Sequence, residues 1–500
     1  MRRHFTILLL LFAFTACKER KEIFELSSKK EILYYKLEKE LNPSLSETIE
    51  AEIIDSEIRL VIPELADRKA LIASFEYEGK SVFVNEAEQV SGETANDFSQ
   101  PFSYLVFAED GSEKKFDIVI SVLDKLKFGL PHIYINIDNG EEIISKEDYL
   151  KGNIRIDGKG EYNDYTGRLG IKGRGNTSWT APKKPYRIKL DNKASLFGMH
   201  EYKDWILLAE YLDGTMLYNS IPYKAARLLG LPYTNHMLPV ELTINGEYRG
   251  VYTFTEHKEV GEYRIDISKD GVLLELDTYF DEEWKFKSAK YDLPVMVQFP
   301  KEKDMTEEML NDIKADFEVF ESLVYDESFP YNEWLDYFDI HSFVNYMIVY
   351  QLTLNMEINH PKSTYINRPA GEKYHMGIIW DFDWGFGFEV KFKHYDLSTA
   401  ALPLFWEQNT AGKTFFSRLM EDPVVKDLFA ERWAWFKTNA YEELKDYVIT
   451  CSVLIQNALP KDHEIWGKRG SSGDASTDLE RVLEWLDARV AYIDTYVAGF

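Results

Sequence analysis

The sequence predicts an α+β protein with a small all-β module in front of it. Three observations carry that expectation. Between residues 42 and 125, short runs alternate apolar and polar residues at 57–62, 71–76, 81–84, 102–108 and 115–122, with turn signals at Glu78-Gly79 and Asp110-Gly111. After Pro131, strand-like and loop segments alternate to about Pro300. Beyond Asp304, apolar residues recur at helical spacing. Strands followed by helices, rather than strict alternation of the two, are an α+β pattern.

The chain begins Met1-Arg2-Arg3-His4, continues through an apolar run to Phe14, and reaches Thr15-Ala16-Cys17. A basic start with a short apolar run marks a secretory signal, and the run is too short to span a bilayer. Small residues before a cysteine resemble the bacterial lipoprotein cleavage site. That resemblance implies a signal peptide over 1–17, lipidation of Cys17 and a membrane anchor at the bacterial cell envelope, on the outer membrane or surface. The other reading is an ordinary signal peptide with an incidental cysteine. Residues 18–41 are charged and weakly patterned, and read as a tether. The strands over 42–125 suggest a β-sandwich. The AEDGS hairpin and the strand after it resemble the Ig-like modules that open many bacterial surface lipoproteins; such a module is a spacer or a weak binding unit.

Composition narrows the function. The chain is 45% hydrophobic and 15% aromatic, as expected of a folded body with large cores or exposed aromatic platforms. A net charge of −27 excludes a generic nucleic-acid partner, because phosphate would be repelled at long range. Beyond Cys17 the only cysteine is Cys451, so no disulfide framework or cysteine metal site is expected, and Cys451 reads as a small core residue.

From residue 130 to 500 the elements follow in order. Strands are expected at 132–138, 167–172 and 186–190. The last two flank a glycine-rich loop, Lys172-Gly173-Arg174-Gly175-Asn176-Thr177-Ser178-Trp179. Its glycines allow close backbone approach, and Arg174, Lys183 and Lys184 suit phosphate oxygens. Lys189 shares a strand face with Arg187. The loop lacks Walker A spacing, and a solvated turn is the plainer reading. A buried strand at 205–209 and a helix over 216–229 come next, then a hairpin around Asn245-Gly246 ending at Glu256, and an apolar strand at 272–277. Asp304 and Glu307 have capping-box spacing for a helix, and an apolar helix over 340–354 reads as central. Strands at 364–367 and 375–380 lead into Trp380-Asp381-Phe382-Asp383. In a strand Asp381 and Asp383 would share one face, and such a pair suits a hard cation; a capped turn with an arginine partner is the alternative. Helices are expected at 414–419, 424–439 and 441–457. A last helix is expected to open on a Thr477/Glu480 capping box.

Several blocks in order resemble one family: KGRGNTSW, KKPYRIKLD, WILLAEYLDGTMLYN, VELTINGEYRGVYTFTE, VLLELD, the N-x-E…HPKS run and WDFDWGFG, over roughly 130–390. Together they are similar to the CotH family of atypical kinase-like proteins. The resemblance implies an atypical protein-kinase-like domain over 130–500. That domain would use ATP as phosphoryl donor and Mg or Mn as metal, and would transfer phosphate to Ser or Thr of secreted or surface proteins. It implies Asp381 and Asp383 as metal ligands, with Asp383 also catalytic. Arg174 and Lys189 would be phosphate contacts, Glu256 would orient a lysine, and Asn355 would open the catalytic loop. Where the family often has Asn-x-Asp, this chain has Asn355-Met356-Glu357, so Glu357 takes the catalytic position with a carboxylate displaced by about 1 Å. The alternative function is a non-catalytic surface lipoprotein that binds protein or glycan on a kinase-like scaffold.

Overall fold

Period-two burial builds the first part of the chain. The computed structural model describes residues 27–45, 48–54, 56–62, 68–122, 129–405 and 409–500. The expected signal peptide and Cys17 lie outside the described residues. The chain divides into two compact units, with the main boundary between Val122 and Leu123.

The first unit is all β. Its strands are β1 (Glu31–Leu37), β2 (Ile49–Glu50), β3 (Glu52–Ile54), β4 (Glu57–Ile62), β5 (Leu71–Ile72), β6 (Ser74–Glu78), β7 (Ser81–Val84), β8 (Ala87–Glu88), β9 (Ala95–Asn96), β10 (Ser103–Phe107) and β11 (Glu113–Val122). They form a sheet β2-β1-β6, a sheet β3-β4-β11-β10-β7-β8 and a small pair β5-β9. Tyr35, Phe75 and Tyr104 pack as a ring cluster, and the Tyr35 and Tyr104 hydroxyls are hydrogen-bonded at 3.1 Å. The tether expected over 18–41 is therefore corrected for its described part. Ile32, Tyr35 and Leu37 are buried in a paired strand, because alternate burial outweighs the segment's high charge.

The second unit begins with a closed barrel. Its strands are β12 (His132–Ile137), β13 (Leu150–Asp157), β14 (Tyr165–Gly173), β15 (Tyr186–Ala194), β16 (Tyr202–Leu208), β17 (Leu238–Ile244) and β18 (Glu247–Glu256). The order is β12-β13-β14-β15-β16-β18-β17, closed by parallel pairing of β12 with β17. Inward residues such as Ile133, Ile154, Leu169, Ile188, Trp205 and Leu242 fill it, so it is a packed core. A short helix α1 (Thr177–Thr180) follows β14, and α2 (Ser220–Leu229) follows β16. The helix expected from 216 starts later because Asp213 accepts from the Thr215 and Leu217 amides and holds a turn there.

A five-stranded sheet follows, β20-β21-β19-β22-β23, from β19 (Val272–Leu276), β20 (Lys285–Lys287), β21 (Pro294–Phe299), β22 (Thr364–Arg368) and β23 (His375–Met376). The helices are α3 (Glu307–Tyr325), α4 (Ile340–Thr353), α5 (Phe388–Lys391), α6 (Ala411–Leu419), α7 (Pro423–Asn439), α8 (Tyr441–Ile455), α9 (Leu459–Trp466) and α10 (Ala475–Val497). Cys451 is buried in α8. Eleven of the fourteen residues of α4 are buried, as befits a helix apolar on every side. It packs on α2, α7 and α10.

Two caps differ from expectation. Thr306 caps α3 by accepting from the Met309 amide at 3.2 Å, and Asp304 ends a preceding 3-10 turn. Asp474 caps α10 by accepting from the Thr477 amide at 2.8 Å, so the helix starts three residues before the expected Thr477 cap and Thr477 lies inside it. No helix among the described residues is long and apolar enough to cross a membrane.

One buried cation joins the C-terminal helix to α4. Arg489 is fully buried and donates to the carbonyl and side-chain oxygens of Gln351 (2.6 and 3.0 Å) and to the Ala400 and Leu402 carbonyls. Burial lowers its pKa to about 9. Arg489→Met keeps most of the stem volume but strands these acceptors. We expect a stability loss of about 2–4 kcal/mol in urea unfolding monitored by fluorescence; an unchanged midpoint would contradict the role given to these bonds.

Candidate functional site

A cleft of about 340 Å³ opens in the second unit, lined by the β14–β15 turn, the end of β18, β19, the turn after α4 and the acidic motif. The glycine-rich loop shapes its rim. Gly175 sits at φ +81, and a Cβ on Gly173 would collide with the Trp179 ring, so both positions require glycine. The loop is tied to the opposite wall. Thr177 and Tyr279 share a hydrogen bond through their hydroxyls at 2.7 Å, and Asn176 donates to Asp281 at 3.5 Å.

The acidic motif is not a strand. Pairing stops at Met376, and Asp381 adopts φ +63, in the left-handed region. The same-face argument from strand alternation is therefore corrected: the carboxylates converge because the backbone turns. Aspartate tolerates this conformation better than most residues, at a cost of about 1 kcal/mol or more. The turn is held from several sides. Asn355 Nδ2 donates to the Asp381 carbonyl at 3.2 Å, the Phe382 amide donates to Asn219 at 3.3 Å, and His394 Nε2 bonds the Asp383 carbonyl at 2.8 Å.

Asp381, Asp383 and Glu357 all line the cleft. Burial first, then Asp381 and Glu357, push the Asp383 carboxyl well above its usual range. Burial and Asp381 do the same to Glu357, against the opposing pull of Lys362, whose Nζ lies 3.8 Å away. Arg174 lies over the Trp380 ring at 5.4 Å; burial lowers its pKa, and Asp381 opposes the shift. Arg174, Glu357, Asp381 and Asp383 are thus brought together.

Three other expected residues are elsewhere. Lys189 is half exposed, lies 4.0 Å from Asp204 and does not line the cleft. Arg187, two residues closer to the glycine loop, does line it and pairs with Asp204 at 2.6 Å. A strand advances about 7 Å over two residues, which takes Lys189 out of reach. Glu256 is buried and bonds the His236 amide and ring (2.8 and 2.6 Å), so it orients that segment and not a lysine. Burial raises its pKa, but His236 and Arg264 outweigh burial and lower it overall. Asn355 is buried, and caps the 3-10 turn Met356–Ile358 by accepting from the Glu357 amide. It supports the site from behind.

Besides Lys362 with Glu357, a second lysine–carboxylate pair lines the cleft, Lys258 with Glu275, at 3.5 Å. Lys258 also lies over the Tyr365 and Trp380 rings, at 4.3 and 5.5 Å. Tyr365 and Gln298 hold the Glu275 carboxyl in place. In the sequence Lys258 follows Glu256 just past the hairpin strand and Glu275 stands in VLLELD, but neither place by itself marks the residue for this role. Among the described residues, no group of three or more His, Cys, Asp or Glu is placed to hold a metal ion. The donor set is still suitable for Mg²⁺, which is usually held by one or two carboxylates with phosphates and water completing its shell.

The site therefore defines a protein with an acidic, cation-suited cleft faced by a wall of Arg and Lys. The family model described as CotH kinase protein matches residues 171–493, and the chain belongs to that family. No curated protein matches it. Among solved structures, one described as a candidate glycoside hydrolase from Bacteroides thetaiotaomicron is similar at 16% identity, covering 58% of this chain and 89% of that one with a TM-score of 0.16. A likeness at that level carries no argument about fold or activity.

Glu275 generates a pH prediction. Burial first, with Asp277 adding to it and Lys258 opposing, raises its pKa from 4.5 to about 7. A carboxyl held higher in the folded state stabilises fully below about pH 4.5, and that contribution is lost as the pH rises through 7. Between those limits the wild type should lose melting temperature relative to Glu275→Gln. Parallel melting curves in thermal scans at all pH values would contradict it.

Proposed function

We propose that the chain is an exported, lipid-anchored, atypical protein-kinase-like phosphotransferase of the bacterial envelope, passing the γ-phosphoryl group of ATP to Ser or Thr of secreted or surface proteins. The observation that carries this reading is the single cleft lined by Arg174, Lys258, Glu357, Asp381 and Asp383. Family membership supports it independently.

Mg²⁺ or Mn²⁺ held by Asp381 and Asp383 would neutralise charge on the phosphates. Arg174 binds phosphate oxygens from the glycine-loop side, and Lys258, oriented by Glu275, binds them from the β18 side. Asn355 holds the Asp381 backbone so that its carboxylate stays aimed into the cleft. Glu357 takes the proton of the acceptor hydroxyl as its oxygen bonds to the γ-phosphorus and the bond to ADP breaks. Burial beside other carboxylates gives Glu357 the proton affinity this step requires. Lys362 restrains that carboxylate. Positioning and fixed charge supply most of the rate in such a transfer.

Purified protein incubated with γ-labelled ATP, a Ser/Thr-containing protein substrate and Mn²⁺ or Mg²⁺ should transfer label, and Asp383→Ala should reduce transfer by at least about 100-fold. Absence of both transfer and nucleotide binding with either metal would remove this reading and leave the binding-scaffold one. Lys258→Met should weaken nucleotide binding on the order of tenfold or more, while Lys189→Ala leaves it within about twofold. Equal effects of the two in calorimetric titration would refute the assignment of Lys258.

A further inference from the structure

A second cavity, of about 310 Å³, lies in the same unit and is built partly by the segment that follows the acidic motif. Its aromatic walls are Tyr211, Phe388 and Phe392, and its cations are Lys393, Arg469 and Arg481. Three cations gathered in a chain of net charge −27 are notable because their compensation is incomplete. The one carboxylate in the lining, Asp213, turns inward and accepts from the Thr215 and Leu217 amides and the Thr215 hydroxyl. Each of the three Arg469 nitrogens already donates one hydrogen bond, to Asp462 and to the Glu210 and Gly467 carbonyls. Arg481 differs in having a nitrogen without a partner. It donates to the Gly470 carbonyl and stands 3.3 Å from Asp478, but its Nε is buried without an acceptor. Lys393 is exposed and makes no hydrogen bond or ion pair among the described residues; Asp396 is the carboxylate within electrostatic reach of it.

Neighbouring aromatic rings link the lining of this cavity to that of the main cleft. Trp384 lines the cleft, and its ring lies 5.7 Å from Phe388 and 6.2 Å from Phe392. Phe392 is 72% exposed and held at φ +51, a left-handed conformation that a bulky residue rarely adopts. An aromatic strip thus runs from the cleft to a cationic pocket, in a geometry that suits an extended ligand touching both.

We propose that this second cavity receives a negatively charged side chain of a polypeptide acceptor whose hydroxyl-bearing residue occupies the main cleft. The inference rests on the phosphoryl-transfer reading for the identity of the acceptor. Arg481 and Lys393 supply the free donors, and Phe388 and Phe392 cover the stem of the bound side chain. A carboxylate and a phosphorylated residue present the same chemistry to Arg481, so either source is accommodated. An acceptor with glutamates beside its serine, or one already phosphorylated nearby, is therefore preferred over a neutral one.

The test uses the full chain with three fluorescein-labelled peptides: serine flanked by glutamates, the same sequence with glutamines, and the glutamine form carrying one phosphoserine. Anisotropy should report tighter binding of both anionic peptides than of the glutamine peptide, weakening with added salt. Lys393→Glu should weaken the anionic peptides on the order of tenfold and leave the glutamine peptide unchanged. Arg481→Gln should act in the same direction. Preference for the glutamate peptide alone would identify a carboxylate pocket, and preference for the phosphoserine peptide alone a phosphate pocket; both support the proposal. Equal binding of all three peptides, no binding of any, or unchanged affinities in Lys393→Glu would overturn it. ATP binding measured on the same samples separates the two readings. Anionic-peptide preference without ATP binding removes phosphoryl transfer but not the pocket, and ATP binding with no anionic preference removes the pocket alone.

Discussion

The C-terminal end of α4 is where a buried helix must find donors for its last carbonyl groups, which have no amide partners within the helix itself. The helix end is buried, so other elements supply the donors. Arg489 from α10 donates to Gln351, the Asn355 amide donates to Tyr350, and the Phe386 amide donates to Thr353 at 2.6 Å. Leu354 takes the left-handed conformation, φ +48, to let the chain turn away. That turn places Asn355 against the Asp381 backbone and Glu357 at the cleft. The requirement to satisfy one helix end thus positions the loop after α4, the segment after the acidic motif and the C-terminal helix together.

The same end carries a physical cost that gives the cleft its character. A helix C-terminus bears partial negative charge, and the turn that leaves this one carries Glu357 into a group of carboxylates already crowded by burial. Repulsion of that kind is relieved by protons, by cations or by the basic wall opposite. Arg174, Arg187 and Lys258 reach that wall from the barrel, and the carboxylates come from the sheet and from the turns around α4. The cleft is therefore a junction of opposite charges within an acidic chain. The Glu275 carboxyl, held by Lys258, Tyr365 and Gln298, lies at that junction.

Much of the fold was legible locally. Strands at 57–62 and 81–84, the hairpin at Asn245-Gly246 and the apolar helix before Asn355 follow from alternation, turn chemistry and unbroken apolar character. The misreadings share a cause, namely competition between local signals. Charge hid the alternation of β1, an earlier aspartate took the cap of α10, and the apolar run before Asp381 suggested a strand where pairing ends at Met376. In the site, Arg174, Asp381 and Asp383 were found from motif chemistry, and Glu357 from the family resemblance. Lys258 and Glu275 were not, because neither residue carries a local pattern that distinguishes it from other charged residues at strand ends.

By itself the sequence determined the order of strands and helices, the glycine loop that only small residues can form, and the carboxylates that some positive charge must balance. These depend on backbone preference and residue type, both local properties. Tertiary structure alone decided that the strands after Pro131 close into a barrel through β12 and β17, that Lys258 and not Lys189 reaches the cleft, and that Glu256 bonds His236. It also decided that Arg481 and Lys393 meet beside Phe392. Each of these depends on which distant segments burial brings within a few ångströms of one another, and side-chain type sets no such distance.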